Sequence, residues 1–187
     1  MESQGAPLSI ASELCLACGL CCGGTLYTKA LIRPDEVEDS RAIGMATYSE
    51  PNGEAGFRFP CNYLDGACCT RYEQWRPSVC SGFLCEVQLK VKKGAMEPDE
   101  ARAKVRKARM LREGVAAILP EGETMAAAVL RYLASDVISP AESGLDPHFT
   151  VRMFVLQRYL DEEFRPKRDR VPDAELSPET TTVGKQQ

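Results

Sequence analysis

The distribution of cysteine constrains this chain more than any other sequence feature. All nine cysteines lie between Cys15 and Cys85, and the last hundred of the 187 residues contain none. The stretch from Met1 to Ala11 lacks a basic start and an apolar run, so we expect no secretory signal and a cytoplasmic location. In that reducing compartment, clustered cysteines bind metal or carry out redox chemistry more often than they form disulfides.

Composition and charge narrow the range of partners. Hydrophobic residues make up 44% and charged residues 27% of the chain, as is typical of a soluble globular protein. The formal net charge of −4 offers no overall attraction to nucleic acid. The sequence has no run of eighteen apolar residues, so no membrane span is expected. We therefore expect a metal ion as partner, with a protein as a further candidate, and neither nucleic acid nor a membrane.

The sequence divides into three regions. Residues 14–87 carry every cysteine and are punctuated by Gly and Pro, whereas residues 95–164 have the periodicity of helices. Residues 165–187 form a tail rich in Pro, Thr and charge, which we predict to be disordered. The predicted fold class is small α+β: an irregular, cysteine-rich, metal-bound module followed by an all-helical C-terminal region.

Hydrophobic periodicity predicts three helices in the C-terminal region. From Asp99 to Leu119, apolar residues recur at intervals of mostly three and four, which makes one apolar stripe. Pro120 is expected to end this helix. A second helix is predicted over Glu123 to Ala134 and a third over Pro147 to Phe164.

Local signals predict shorter elements in the cysteine-rich region. The stretch from Asp35 to Met45 has the acidic first turn of a short helix. Ser49 to Gly56 is a turn signal, and the alternation of Phe57 to Phe59 that follows it indicates a strand. Asp65-Gly66 marks another turn, so residues 57–72 are predicted to form a small hairpin-like unit.

Four cysteines open this region at the spacing of a metal-binding motif, Cys15-x2-Cys18-x2-Cys21-Cys22. A two-residue gap lets the chain turn back, so that two thiolates reach one zinc ion at about 2.3 Å. The same spacing supplies three ligands to iron–sulfur clusters. Because adjacent residues point in different directions, we expect Cys21 and Cys22 to serve different ions or different sides of one cluster.

A second set of cysteines follows, and its pattern resembles that of a known family. After Cys61 comes Cys69-Thr-Arg-Tyr-Glu-Gln-Trp-Arg-Pro-Ser-Val-Cys80, and another cysteine closes the set. This order resembles the YkgJ-type cysteine-cluster family, also called the CxxCxxCC domain and regarded as a zinc- or iron-chelating module. Cys69 matches the family pattern better than Cys68 does, because two residues separate it from Tyr72. The resemblance implies eight metal ligands: Cys15, Cys18, Cys21, Cys22, Cys61, Cys69, Cys80 and Cys85.

Thiolate ligands suit some metals and not others. Calcium and magnesium prefer oxygen, whereas both zinc and iron accept sulfur. Eight thiolates could make two zinc sites of four cysteines each, or one four-ligand iron–sulfur cluster with spare sulfurs. The predicted cofactor is therefore zinc or iron, the latter also as an iron–sulfur cluster. Donors to the sulfurs are needed as well, and by proximity we expect them from Arg71, Arg76 and the backbone N–H groups of Gly19, Gly23 and Gly24.

The function that we predict is metal binding by a cysteine-cluster protein of undefined biochemical role, with no catalytic residue assigned. One alternative is an iron–sulfur redox or enzyme-accessory protein. Another is a zinc-stabilised nucleic-acid-binding module that uses the basic run between Lys90 and Arg112. We interpret that run as a solvated helix face.

Other kinds of chemistry have little support in the sequence. Cys18-Gly19-Leu20-Cys21 also matches a thiol–disulfide motif, but no thioredoxin-like βαβ pattern surrounds it. The chain has no P-loop, no dinucleotide-binding glycine motif and no H-E-x-x-H motif. The only histidine, His148, is interpreted as a surface or capping residue. We therefore expect a binding protein rather than an enzyme.

Overall fold

The structure is a computed structural model that describes residues 8–135 and 144–166. Within these ranges the chain forms α-helices and short antiparallel strands, which confirms the α+β class and the helical C-terminal part. The elements in order are α1 (Ile10–Cys18), β1 (Lys29–Ile32), α2 (Val37–Ala42), β2 (Thr47–Ser49), β3 (Ala55–Arg58), β4 (Leu64–Asp65), β5 (Cys68–Cys69), α3 (Ser78–Gly82), α4 (Glu86–Lys92), α5 (Pro98–Ala116), α6 (Met125–Ser135) and α7 (Pro147–Glu163).

Helix α1 was not predicted, although its caps were present in the sequence. The side chain of Ser9 accepts a hydrogen bond from the Ser12 N–H and so caps the first turn. Gly19 ends the helix with φ of 66°, in the left-handed conformation that glycine adopts without a steric penalty. The available signals in the sequence were the two capping residues that flank the helix, Ser9 before its first residue and Gly19 after its last.

The strands form two small sheets rather than one hairpin-like unit. Strand β3 is central in a three-stranded antiparallel sheet of order β1-β3-β2, with Lys29 opposite Arg58 and Thr47 opposite Phe57. Among the described residues, β4 and β5 pair only with each other. The prediction of one unit over residues 57–72 is therefore wrong in extent, because the buried side chain of Phe57 ties β3 to β1 and β2 instead.

The helix predicted over Asp35 to Met45 is shorter than expected. It consists of a 3₁₀ turn, Pro34–Glu36, followed by α2. Gly44 has φ of 83° and donates its N–H to the Arg41 carbonyl at 2.8 Å, which ends the helix after one and a half turns. The chain then enters β2.

The C-terminal helices follow the predicted periodicity. Helix α5 buries the expected stripe at Ala101, Val105, Ala108 and Val115. Helices α6 and α7 lie close to the predicted ranges. The predicted tail lies outside the described residues from position 167 onward. Arg165, which we assigned to that tail, is bonded to the fold, because it donates to the Leu26 carbonyl at 2.8 Å.

Two hydrophobic cores organise the described residues. We call the larger one the helical core; it joins Leu14, Leu20 and Leu26 to apolar side chains of α4, α5, α6 and α7, among them Val105 and Leu156. We call the smaller one the sheet core, and its buried members are Ile32, Val37, Met45, Ala55 and Phe57. The cysteine-rich region therefore shares its main core with the C-terminal helices. In the part of the chain that the structure describes, no helix is long and apolar enough to cross a membrane.

Candidate metal centre

A cavity of about 370 Å³ brings most of the cysteines together. Apolar side chains of both cores form much of its wall, including Leu14 and Leu20 from the helical core and Phe57 from the sheet core. The cysteines that line it are Cys15, Cys18, Cys21, Cys22, Cys61, Cys69, Cys80 and Cys85. These are the eight cysteines that the family resemblance implies as ligands. Cys68 does not line the cavity and is exposed to solvent.

Helix α1 and the turn after it position the first four cysteines. Cys15 and Cys18 are three residues apart on α1, so their side chains lie on the same side of the helix. After Gly19 the chain reverses, and the buried Leu20 fixes the turn to the helical core. Cys21 and Cys22 follow in that turn and line the same cavity from consecutive positions.

A close backbone approach brings the β4–β5 hairpin to the end of α1. A Cβ atom placed on Gly19 would lie 2.9 Å from the Cα and 3.0 Å from the carbonyl oxygen of Ala67. No side chain fits in that space, so glycine is required for the hairpin to pack against the helix. The hairpin holds Cys69 opposite Leu64, and the N–H of Cys61 bonds to the Cys22 carbonyl at 2.8 Å.

A carboxylate anchors the segment that carries Cys80. Glu36 accepts hydrogen bonds from the Ser78 N–H at 2.7 Å, from the Ser78 hydroxyl at 3.1 Å and from the Arg33 N–H at 3.1 Å. Desolvation alone would raise the pKa of Glu36, but the hydrogen bonds from Ser78 and Arg33 outweigh it and hold the pKa below its ordinary value. Helix α3, with Cys80, is thereby fixed to the start of α2.

Cys85 occupies the N-cap of α4. Its sulfur accepts the N–H of Gln88, while its own N–H donates to the Gln88 side-chain oxygen at 3.1 Å. The Gln88 amide also donates to the Ala11 carbonyl at 2.7 Å, which joins α4 to α1. Cys85 is only 8% exposed and belongs to the helical core.

Burial keeps seven of the cavity thiols protonated at neutral pH. Desolvation is the largest cause of a raised pKa at Cys15, Cys18, Cys21, Cys22, Cys61, Cys80 and Cys85. The pKa reaches about 12 at Cys18, Cys22 and Cys80. Any metal ion that binds these thiols must therefore displace protons.

Backbone N–H groups that point at the sulfurs come from positions that the sequence prediction missed. The N–H groups of Gly19, Gly23 and Gly24 donate to backbone carbonyls, so the expectation that they serve the sulfurs is wrong. Backbone N–H groups shortly after the cysteine lower the thiol pKa instead: that of Leu20 for Cys18, that of Tyr63 for Cys61, and those of Gln88 and, less strongly, Val87 for Cys85. These donors lie two or three residues after the cysteine, a spacing that is readable in the sequence once each cysteine is known to precede a turn.

Two arginines add positive charge to the cavity wall. The guanidinium carbon of Arg76 lies 4.1 Å from the ring centroid of Tyr72, and Arg76 donates to the Cys80 carbonyl at 3.3 Å. Arg71 stacks over the ring of Tyr63 at 5.0 Å. Both arginines line the cavity, as their predicted role beside the thiolates requires.

The basic run on α5 is engaged with acidic and aromatic partners. Lys104 lies 2.8 Å from a carboxylate oxygen of Glu163, and Arg102 lies 3.2 Å from one of Glu13. Lys107 stacks over the ring of Tyr159. These contacts fit a solvated helix face. His148 is exposed at the start of α7, where the capping residue is Asp146.

A preformed metal site is not seen in residues 8–135 and 144–166: no three Cys, His, Asp or Glu side chains there are placed to hold an ion together. Coordination by the cavity thiols would therefore require their side chains to rotate toward a common point. No protein-family profile, curated protein or solved structure matches the chain. Function must be inferred from the cavity and its thiols.

Proposed function

We propose that this chain is a metal-binding protein of the cytoplasm, in which the eight cavity cysteines hold zinc or iron. One observation carries the proposal: eight of nine cysteines, drawn from separate segments, line one cavity, and the ninth lies outside it. The chemistry of the donor set fits, because soft thiolates select zinc, iron and iron–sulfur clusters. The resemblance of the cysteine order to the YkgJ-type family supports the same function.

Metal at this cavity would stabilise the fold. The thiols belong to α1 and the turn after it, to the β4–β5 hairpin and its approach, and to α3 and the start of α4. These elements are short, and the apolar core beneath the hairpin and sheet is small. Ligation across them would therefore supply part of the folding free energy.

Charge compensation is built into the same wall. Each thiolate that replaces a thiol adds a negative charge to an apolar cavity, which is costly unless positive charge is near. The metal supplies most of this compensation. Arg71 and Arg76 supply the rest from the wall itself. The hydrogen bonds that backbone N–H groups donate to Cys18, Cys61 and Cys85 would become stronger when those sulfurs become thiolates.

An iron–sulfur redox or accessory role is a second candidate function, and the cavity volume favours it. A tetrahedral zinc ion fills the space between four sulfurs at about 2.3 Å and needs no further room. A cavity of about 370 Å³ leaves space for a polynuclear centre. No comparable observation favours nucleic-acid binding, and two members of the basic run, Lys104 and Arg102, are paired with carboxylates.

Metal content and the visible spectrum of anaerobically purified protein test the proposal. We expect stoichiometric zinc in a colourless protein, or iron with sulfide in a brown one. Cys22→Ser should lower the metal content, whereas Cys68→Ser, the matched control outside the cavity, should leave it unchanged. Protein that holds no metal and takes up neither zinc nor iron with sulfide under reducing conditions would refute the proposal.

A further inference from the structure

We infer that the eight thiols form two separate four-thiol sites, one against each hydrophobic core. The site on the helical core comprises Cys15, Cys18, Cys21 and Cys85, and the site on the sheet core comprises Cys22, Cys61, Cys69 and Cys80. This inference rests on the proposed function, and it assigns each thiol to a partner set that spacing alone leaves open.

Core membership gives the first half of the division. Cys85 is a buried member of the helical core, and Cys18 and Cys21 pack against that core. Cys85 is held there by α4, whose Gln88 side chain bonds to the Ala11 carbonyl on α1 at 2.7 Å. The three thiols therefore lie on α1, in the turn that follows it and at the N-cap of α4, and the two helices are bonded to each other.

Cys15 joins this set through its position on α1. It lies one helical turn before Cys18, so the two side chains lie on the same side of the helix. Because Cys15 shares α1 with Cys18, which packs against the helical core, we place it in the site on that core.

The sheet core gives the second half. Cys61 and Cys80 pack against that core. The Cys61 N–H bonds to the Cys22 carbonyl at 2.8 Å, which holds Cys22 on this side. The Leu64 N–H bonds to the Cys61 carbonyl at 3.1 Å, and Leu64 pairs with Cys69 across the hairpin. Short backbone links therefore connect three of the four thiols.

The boundary falls within the pair Cys21-Cys22. Cys21 packs against the helical core. The carbonyl of Cys22 instead accepts the N–H of Cys61, which packs against the sheet core, at 2.8 Å. Cys21 and Cys22 thus belong to different sites, although a single peptide bond separates them. Loading of both sites would clamp the sheet core to the helical core.

Cobalt(II) titration of the full-length, reduced, metal-free protein tests the division. Cobalt(II) is the probe, its thiolate charge-transfer absorption is the readout, and a competing chelator leaves only four-thiol sites loaded. We expect two equivalents in the unaltered protein and in Cys68→Ser. The same-site pair Cys18→Ser/Cys85→Ser should retain one equivalent. The cross-site pair Cys18→Ser/Cys80→Ser, with the same number of substitutions, should retain none.

A second same-site pair of substitutions controls for the case in which the first variant fails to fold. Cys61→Ser/Cys80→Ser should also retain one equivalent, with the circular dichroism spectrum of a folded protein. Equal retention by same-site and cross-site pairs, or one polynuclear centre lost with any cavity cysteine, would overturn the division while leaving metal binding intact. Absence of cobalt(II), zinc and iron uptake by the unaltered protein would instead refute the proposed function.

Discussion

Replacing Gly19 by alanine perturbs the point at which helix α1 meets the β4–β5 hairpin. Gly19 has φ of 66°, a conformation that costs a residue with a Cβ about 1–2 kcal/mol. The new Cβ would also lie 2.9 Å from the Ala67 Cα, and overpacking of this kind costs about 1–3 kcal/mol. The obstacle is backbone, which cannot rotate away as a side chain would. We therefore expect Gly19→Ala to lower the free energy of unfolding by about 2–5 kcal/mol, the sum of the two costs.

Gly94→Ala is the matched control. Gly94 also follows a helix with positive φ, of 68°, but a Cβ there meets no atom within 4 Å. Its substitution should therefore cost only the backbone part, about 1–2 kcal/mol. Urea denaturation gives both free energies, and thermal scans should show melting temperatures that differ by about 4–8 °C for a difference of about 2 kcal/mol. Equal destabilisation by the two substitutions would refute the close approach of α1 to the hairpin.

Three further predictions concern the packing of α7, the anchor of α3 and the N-cap of α7. Leu156→Ala, at a fully buried side chain, should lower the free energy of unfolding by about 2–5 kcal/mol in urea denaturation. Val151→Ala, at a residue 62% exposed on the same helix, should lower it by less than about 0.5 kcal/mol. Similar losses from the two substitutions would contradict the orientation of α7. Glu36→Gln should cost about 0.5–1.5 kcal/mol at neutral pH, since it removes the charge from three hydrogen bonds that are exposed to solvent and therefore screened. Because the folded pKa of Glu36 is lowered, its contribution is complete above the ordinary carboxyl pKa and is lost as pH falls through the lowered value; a difference between the two proteins that persists in strong acid would contradict this. Asp146→Ala should cost about 0.5–2 kcal/mol in thermal scans by removing the N-cap of α7, and Asp146→Asn should restore most of it.

Elements specified by nearby residues were predictable. The apolar stripe of α5 and the start of α7 at Pro147 depend on periodicity and caps within one segment. The turn at Asp65-Gly66 likewise joins the two strands that flank it. Helix α1 has only nine residues, too few for its periodicity to stand out without attention to the cap at Ser9.

Elements specified by distant residues were not predictable in the same way. In the pairing of β1 with β3, Lys29 lies opposite Arg58, and no residue in either strand indicates which strand is its partner. The predicted unit over residues 57–72 failed for this reason. The glycine N–H groups were likewise assigned to sulfur by proximity, whereas the backbone turn directs them to carbonyls.

For the candidate site, the sequence by itself determined which thiols are available: nine of them, in an order whose resemblance to a family pattern sets Cys68 apart from the rest. Only the tertiary structure decided that the other eight surround one cavity and that Cys85 and Cys18 lie on the helical core while Cys80 and Cys61 lie on the sheet core. The physical reason is that ligand type is a property of each side chain. Membership of a site depends on burial and hydrogen bonds between segments up to 77 residues apart, such as the bond from Gln88 to Ala11.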